Sequence, residues 1–174
     1  MDAHYDIVMN ARKLAGEGTR LYFGYSTVLD RAAFEEWRAQ HSYEFFSLPE
    51  GRLGEALDFS LVYDFQSRWW GGRVAGLVAA PGQSVWGRVF EIAAKDWPIV
   101  QHKEGFVTGM CVEQLVKVRS EGGELVEATA FTTNPARASS DGPVSARFVE
   151  ALVRGATAAK LPQAWVDSLP SHAK

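Results

Sequence analysis

Glu104 is the residue of this sequence with the clearest potential for acid–base chemistry. It lies in the stretch QHKEGFVTGM (residues 101–110), between a predicted helix and a predicted strand. A carboxylate there is either part of a solvated turn or a general base at the mouth of a cavity. Because Glu-Gly after a helix is by itself typical of a turn, the rest of the chain has to separate the two interpretations.

The other side chains that could hold a metal or attack a substrate form no recognisable motif. The four histidines lack the paired spacing of a zinc site. They are His4, His41, His102 and His172. Cys111 is the only cysteine and falls in a predicted strand, where a small buried thiol is more common than a nucleophile. No serine elbow or phosphate-binding glycine loop is present. We therefore expect neither a metal nor a cofactor.

Two adjacent tryptophans, Trp69 and Trp70, precede a pair of glycines. Paired indoles can form an aromatic platform for a ligand, but tryptophans that border a strand more often pack at the edge of a core. Packing is therefore the favoured interpretation of this segment.

The composition is that of an ordinary globular protein. The 174 residues are 47% apolar and 22% charged, and the formal net charge is −3 with Lys and Arg scattered. This distribution argues against nucleic acid or a membrane as the main partner. The sequence contains no run of about 20 apolar residues, no apolar signal-peptide segment near its start and no pair of cysteines. We expect a cytoplasmic location.

The hydrophobic pattern predicts a helical extension at 1–19 and one domain at 20–174. Within the domain the predicted elements are a strand at 20–25, a helix at 29–41, strands at 56–65, 73–80 and 84–92, a short helix at 93–105, strands at 110–120 and 124–133, and helices from 144 onward. The hairpin signals argue against an all-parallel sheet. We expect a mixed α/β (α+β) fold, with helices flanking a small, mostly antiparallel β-barrel or curved sheet.

Local signals add detail to this outline. Asp30 is the predicted N-cap of the helix at 29–41, and Pro81-Gly82 predicts a tight turn between two strands. Alternating apolar residues of the strand at 56–65 are predicted to share one face, and they are Leu57, Phe59, Leu61, Tyr63 and Phe65.

A family resemblance emerges when four segments are considered together. RLYFGYSTVLD (20–30) contains a strand and a loop, and WWGGRVAGLVAAPGQSVWGRVFEI (69–92) contains a Val-Trp-Gly before a strand. KEGFVTGMCVEQLVKV (103–118) contains Glu-Gly before another strand, and FVEALVRGATAAKLPQAWVDSL (148–169) contains a helix with a Gly-Ala break followed by Leu-Pro. In this order, the segments resemble the γ-glutamylcyclotransferase family over about residues 20–170.

The resemblance implies a fold and a reaction. The family has a small mixed α/β domain around a β-barrel with a cavity at one end. Its members release 5-oxoproline from γ-glutamyl amines or γ-glutamyl amino acids. The substrate's α-amine attacks its own γ-carbonyl, so the reactants are already tethered and one acid–base group is sufficient. Glu104 matches the position of the family's catalytic glutamate.

The resemblance also implies a substrate site. Backbone N–H groups of the loop after the first strand would bind the α-carboxylate. The matching substrate-binding positions are Tyr22, Gly24, Tyr25, Ser26, Thr27, Val28, Leu29, Met110 and Phe148. Relatives often dimerise, so a homodimer is a possible assembly.

Several of these positions depart from the family pattern. Ser26 replaces Gly, Thr27 replaces Ser and Val28 replaces Asn, while Phe148 replaces Tyr and Cys111 replaces the Tyr of Gly-Met-Tyr. Ser26 would be strained if its position required a positive φ. The changes are compatible with an enzyme acting on a shifted substrate, with a non-catalytic small-ligand-binding protein on the same scaffold, or with a relative that transfers an acyl group to an external amine.

Overall fold

In the part of the chain that the structure describes, five strands form a closed barrel, and five α-helices pack on its outside. The computed structural model describes residues 3–173. The strands are β1 (Thr19–Gly24), β2 (Arg52–Ser67), β3 (Gly72–Ala93), β4 (Cys111–Ser120) and β5 (Leu125–Thr133). The helices are α1 (Tyr5–Leu14), α2 (Arg31–Gln40), α3 (Trp97–Lys103), α4 (Ala146–Ala158) and α5 (Gln163–Ser168).

The barrel is almost entirely antiparallel. Its strand order is β1-β3-β2-β4-β5, and the ring closes between β5 and β1. That closing contact is the one parallel pairing in the described barrel, and it joins Tyr22 to Thr129. The predicted fold class, a mixed α/β domain with a small, mostly antiparallel curved sheet, is confirmed.

Strand β3 is one long bent strand, so the prediction of two strands joined by a tight turn is wrong. Both halves of β3 pair with β2, and the register shifts between Leu57 and Phe59 where Asp58 adopts φ 64°. The Gly82 N–H donates to Asp58 Oδ1 at 2.9 Å. Pro81-Gly82 is therefore a bulge opposite Asp58, because the chain bends there without reversing.

The same bulge changes which side chains of β2 face the core. Ala56 is buried before the bulge, whereas Leu61 and Tyr63 are buried after it. An extra residue reverses the alternation of a strand, so Leu57 lies on the opposite face from Leu61. The prediction that Leu57 shares a face with the later alternating residues is wrong for this reason.

Two apolar clusters meet around β1. One fills the barrel and continues under α4, with Phe23, Leu61 and Leu152 among its buried members. The other lies outside the barrel and includes Tyr22 and Ile99. Because Phe23 and Tyr22 alternate along β1, this strand fixes the inner and outer layers relative to each other.

Helix α1 packs against the outer cluster. Val8 is buried there, and Arg12 forms an ion pair with Asp96 at 2.6 Å. A buried valine and a long-range ion pair tie this helix to the start of α3. No described helix is long and apolar enough to cross a membrane.

Asp30 fixes the loop between β1 and α2. Its carboxylate accepts the Ala33 N–H at 3.1 Å, which confirms the predicted N-cap. The same carboxylate accepts two hydrogen bonds from Arg154 of α4, at 2.9 and 2.6 Å. A side chain at Gly155 would lie 2.6 Å from the Asp30 backbone nitrogen, so glycine allows α4 to approach this loop. Helix α4 therefore supports the segment predicted to bind substrate.

Candidate active site

Glu104 caps the C-terminal end of α3. The helix has proline in its first turn and ends at Lys103, and Gly105 then adopts φ 81° and turns the chain toward β4. The Glu104 N–H donates to the Val100 carbonyl at 3.0 Å. The Tyr22 hydroxyl donates to Glu104 Oε1 at 2.7 Å. One carboxylate oxygen is thus fixed by a phenol from β1.

Tyr22 is held by aromatic packing. It is buried between Phe90, at a centroid distance of 5.8 Å, and Phe131, at 6.0 Å. Burial raises the pKa of Tyr22 well above its ordinary value, and the charge of Glu104 raises it further. The phenol therefore stays protonated at neutral pH and donates a hydrogen bond to the Glu104 carboxylate.

Glu104 lines a cavity of about 290 Å³ that has two chemically different walls. We call one the Glu104 wall, and it consists of His102, Lys103, Glu104, Gly105, Thr108, Met110 and Cys111. We call the other the aromatic wall, and it consists of Phe65, Ser67, Trp69, Trp70, Val74, Ala75 and Phe148. The loop and α2 complete the lining with Ser26, Thr27, Ala33, Trp37 and His41.

The loop after β1 faces the cavity at Ser26 and Thr27. Ser26 has φ −116°, so serine is accommodated there without left-handed strain. Among the described residues, the N–H groups of Ser26, Thr27 and Val28 have no hydrogen-bond acceptor, whereas the Leu29 N–H donates to the Ser26 carbonyl at 3.1 Å. Three adjacent N–H groups are thus available to an anion.

Some predicted substrate positions lie behind the loop. Val28 and Leu29 line a separate, wider groove of about 610 Å³ that does not include Glu104. A side chain at Gly24 would lie 2.8 Å from Val28 Cγ1, so Gly24 makes room for that valine. Tyr25 is buried and donates its hydroxyl to the Phe131 carbonyl at 2.7 Å. The structure therefore brings Ser26, Thr27, Glu104, Met110 and Phe148 to one cavity, with Tyr22 bonded to Glu104.

The larger groove is the weaker candidate for chemistry. Its charged lining includes Arg38, paired with Glu35 at 2.6 Å, and Arg88, which donates to the Ala159 carbonyl at 2.9 Å. Partnered side chains of this kind serve the fold. The smaller cavity instead combines a carboxylate with unpaired N–H groups.

Cys111 belongs to the Glu104 wall as a thiol. Burial raises its pKa to about 12, and the negative charges of Glu104 and Asp64 contribute to the shift. A thiol with that pKa is almost fully protonated at neutral pH. Cys111 therefore lacks the thiolate that nucleophilic catalysis requires.

Three of the four histidines come together beside the cavity, which the sequence did not predict. The His102 ring lies 5.1 Å from His41 and 5.5 Å from His4, between centroids. Nδ1 of His102 lies 2.9 Å from the Tyr43 hydroxyl. No group of three His, Cys, Asp or Glu side chains within residues 3–173 is arranged to hold a metal ion.

The sequence carried weak signals for these cavity residues. His41 follows Trp37 by one helical turn and stacks on it at 4.9 Å, and His102 precedes Glu104 by two residues. Trp70 packs edge-on against Phe148 at 5.3 Å, as the packing interpretation predicted. Trp69, in contrast, remains 45% exposed at the cavity mouth. The tryptophan pair thus combines packing with cavity lining.

Comparison with known proteins agrees with this architecture. Residues 84–169 match the AIG2-like family. The γ-glutamylcyclotransferases of Mus musculus and Homo sapiens are 29% and 30% identical over 114 residues, which are 65% of this chain. The matched region spans 58% of the length of each of these curated relatives.

A solved structure supports the same relationship at the level of fold. A γ-glutamyl cyclotransferase superposes with a TM-score of 0.72 at 21% identity, and the alignment covers 88% of each chain. The chain is therefore similar in sequence to the AIG2-like family and to two γ-glutamylcyclotransferases, and it shares its fold with a solved γ-glutamyl cyclotransferase.

Proposed function

We propose that this protein is a γ-glutamylcyclotransferase-type enzyme that converts a γ-glutamyl amine or γ-glutamyl amino acid into 5-oxoproline and a free amine. The observation that carries the proposal is the position of Glu104. Its carboxylate lines a cavity, and the buried Tyr22 hydroxyl holds it at 2.7 Å. The similarity to the AIG2-like family and to γ-glutamylcyclotransferases supports the same reaction class.

The reaction requires one proton carrier. Glu104 takes a proton from the substrate's α-ammonium group, and the free α-amine attacks the γ-carbonyl carbon to form a five-membered ring. Glu104 gives that proton to the other nitrogen as its bond to the carbon breaks, and it then accepts the second proton that the ring nitrogen loses and passes it to the released amine. No water is consumed, because nucleophile and electrophile belong to the same molecule.

The loop after β1 is the proposed binding site for the substrate's α-carboxylate. The available N–H groups of Ser26 and Thr27 lie at the cavity, and that of Val28 follows them in the chain. Successive backbone N–H groups favour an anion. These donors do not depend on side-chain identity, so the Val28 substitution leaves them in place.

We also propose the setting in which this activity operates. The substrate is a small molecule and not nucleic acid or a membrane, the location is cytoplasmic, and residues 20–174 form the catalytic domain. Residues 1–19 are an extension, and the burial of Val8 and the Arg12–Asp96 ion pair support its docking on that domain. A homodimer is compatible with this arrangement.

A product assay tests the proposed function. The purified protein is incubated with a panel of γ-glutamyl dipeptides and γ-glutamyl amides, and 5-oxoproline and free amine are quantified. We expect the two products in equal amounts. Tight binding in calorimetry without any product would favour a non-catalytic binding protein, and acyl transfer to added hydroxylamine would favour the amide-transferring alternative.

A further inference from the structure

The cavity has aromatic side chains on the sides that a departing amine would contact. Phe65, Trp69 and Trp70 come from the end of β2 and the turn to β3, and Trp37 comes from α2. Trp37 is fixed by stacking on Tyr43 at 5.2 Å. Aromatic rings at these positions offer large apolar faces to a ligand.

The exposed fractions of the lining residues distinguish the closed end of the cavity from its mouth, and so indicate how a substrate is oriented. Thr27 and Phe148 are only 5% and 2% exposed, so they lie at the closed end. Trp69 and Met110 are 45% and 39% exposed, so they lie at the mouth. With the α-carboxylate at the loop and the γ-carbonyl near Glu104, the amine portion extends toward Trp69 and Met110.

The charges at the cavity do not favour a second carboxylate on the amine portion. Lys103 is the only lysine or arginine among the described lining residues, and its Nζ lies 5.9 Å from the Trp37 ring centre. Arg147 lies 5.8 Å from the Trp69 ring centre and 4.8 Å from that of Trp70, but it does not line the cavity. A carboxylate among the indoles would therefore have no arginine of the cavity lining to pair with, and it would lose hydration without full compensation.

From these observations, and resting on the proposed function, we infer that the released amine is a hydrophobic amine that carries an aromatic ring and no carboxylate. Its ring lies between Trp37 and the aromatic wall, with Trp69 at the mouth. The cavity of about 290 Å³ is near the lower end of the roughly 300–1,000 Å³ range of small-molecule sites, which suits a γ-glutamyl group with one small ring.

Three matched substrates test the inference. They are γ-glutamyl-2-phenylethylamide, γ-glutamylethylamide, which lacks the ring, and γ-glutamylphenylalanine, which adds a carboxylate. We expect kcat/KM for the phenylethylamide to exceed that for the ethylamide about tenfold to hundredfold, which is the gain from burying one ring. We expect the carboxylate to lower kcat/KM about fivefold or more.

A variant pair links the preference to the mouth of the cavity. Trp69→Ala is expected to reduce the ratio of kcat/KM between phenylethylamide and ethylamide about tenfold. Leu125→Ala, at a residue that is 61% exposed on β5 and outside the cavity lining, should leave that ratio unchanged. A ratio between substrates does not respond to a general loss of folded protein.

The outcomes separate this inference from the proposed function. Turnover of all three substrates at similar kcat/KM, or faster turnover of γ-glutamylphenylalanine, overturns the inference and leaves the proposed function intact. An unchanged substrate ratio in Trp69→Ala also overturns it. Absence of 5-oxoproline from every substrate overturns both.

Discussion

The two walls of the cavity are built in different ways. The Glu104 wall comes from one short segment, residues 102–111, supported by a single phenol from β1. The aromatic wall draws on β2, the turn after it, β3 and α4. A single carboxylate can be positioned by one short segment of the chain. The shape of the aromatic wall, where we propose that the leaving amine binds, depends instead on packing between distant parts of the chain.

The walls also differ in electrostatics. On the Glu104 wall, burial and, to a smaller extent, the Glu104 carboxylate raise the pKa of Cys111, and they do the same for the neighbouring phenol of Tyr22. The aromatic wall has no charged lining residue among those described. The charged and the aromatic lining residues therefore come from different segments of the chain, and we expect variants on each wall to have different effects.

The largest expected effect is the protection of Cys111 from alkylation. Its pKa rises from an ordinary 9.0 to about 12. Alkylation requires the thiolate, whose fraction at pH 8 falls about thousandfold, but the more basic thiolate is about tenfold more nucleophilic, so the rate falls about hundredfold. We expect iodoacetamide to react that much more slowly with the folded protein than with the same protein unfolded in guanidinium. Equal rates would mean that the Glu104 wall is open to solvent.

Removal of the Tyr22 hydroxyl should have the next largest effect, which is a loss of kcat. Tyr22→Phe deletes a hydrogen bond to a charged group, and its loss of about 1.5–3 kcal/mol corresponds to a tenfold to hundredfold drop in kcat. KM should change little, because the phenol contacts Glu104 and does not line the cavity. Steady-state kinetics on one γ-glutamyl amide measures both constants.

Tyr63→Phe is the matched control for this variant. It deletes a buried hydroxyl that donates to the Leu169 carbonyl at 3.1 Å and does not contact Glu104. We expect a similar cost in stability and a kcat close to that of the unaltered protein. If the two variants lost kcat equally, Tyr22 would act only through the fold.

The smallest expected effect is a difference in stability between variants of the two adjacent tryptophans. Trp70 packs on Phe148 and under Arg147, so Trp70→Ala should lower the free energy of unfolding by about 2–3 kcal/mol. Trp69 is more exposed, and Trp69→Ala should cost about 0.5 kcal/mol or less. Urea denaturation measures both values. A larger loss from Trp69 than from Trp70 would contradict the assignment of packing to one and ligand contact to the other.

The sequence predicted the elements whose determinants are local. Asp30 caps α2 through a residue three positions away, and Gly123 closes the β4–β5 hairpin with φ 83°. Both features depend on side chains within a few residues of one another. Glu104, in contrast, is assigned from the resemblance of four segments, because Glu-Gly after a helix is by itself typical of a turn.

What the sequence did not predict depends on long-range contacts. The bulge at Asp58 exists because both halves of β3 pair with β2, which no local pattern in β2 encodes. His41 and His102 meet only because α2 packs beside α3. The exposure of Trp69 beside the packed Trp70 depends on where Phe148 of α4 lies.

The most direct test of the central claim compares Glu104→Gln with Glu127→Gln, an exposed glutamate on β5, in 5-oxoproline formation from one γ-glutamyl amide. Glutamine keeps the shape of the side chain and its hydrogen bond with Tyr22 but cannot carry the proton. We expect kcat to fall about thousandfold in Glu104→Gln and to stay unchanged in Glu127→Gln, with equal melting temperatures. A folded Glu104→Gln variant that forms 5-oxoproline at the unaltered rate would contradict the assignment of Glu104 as the proton carrier.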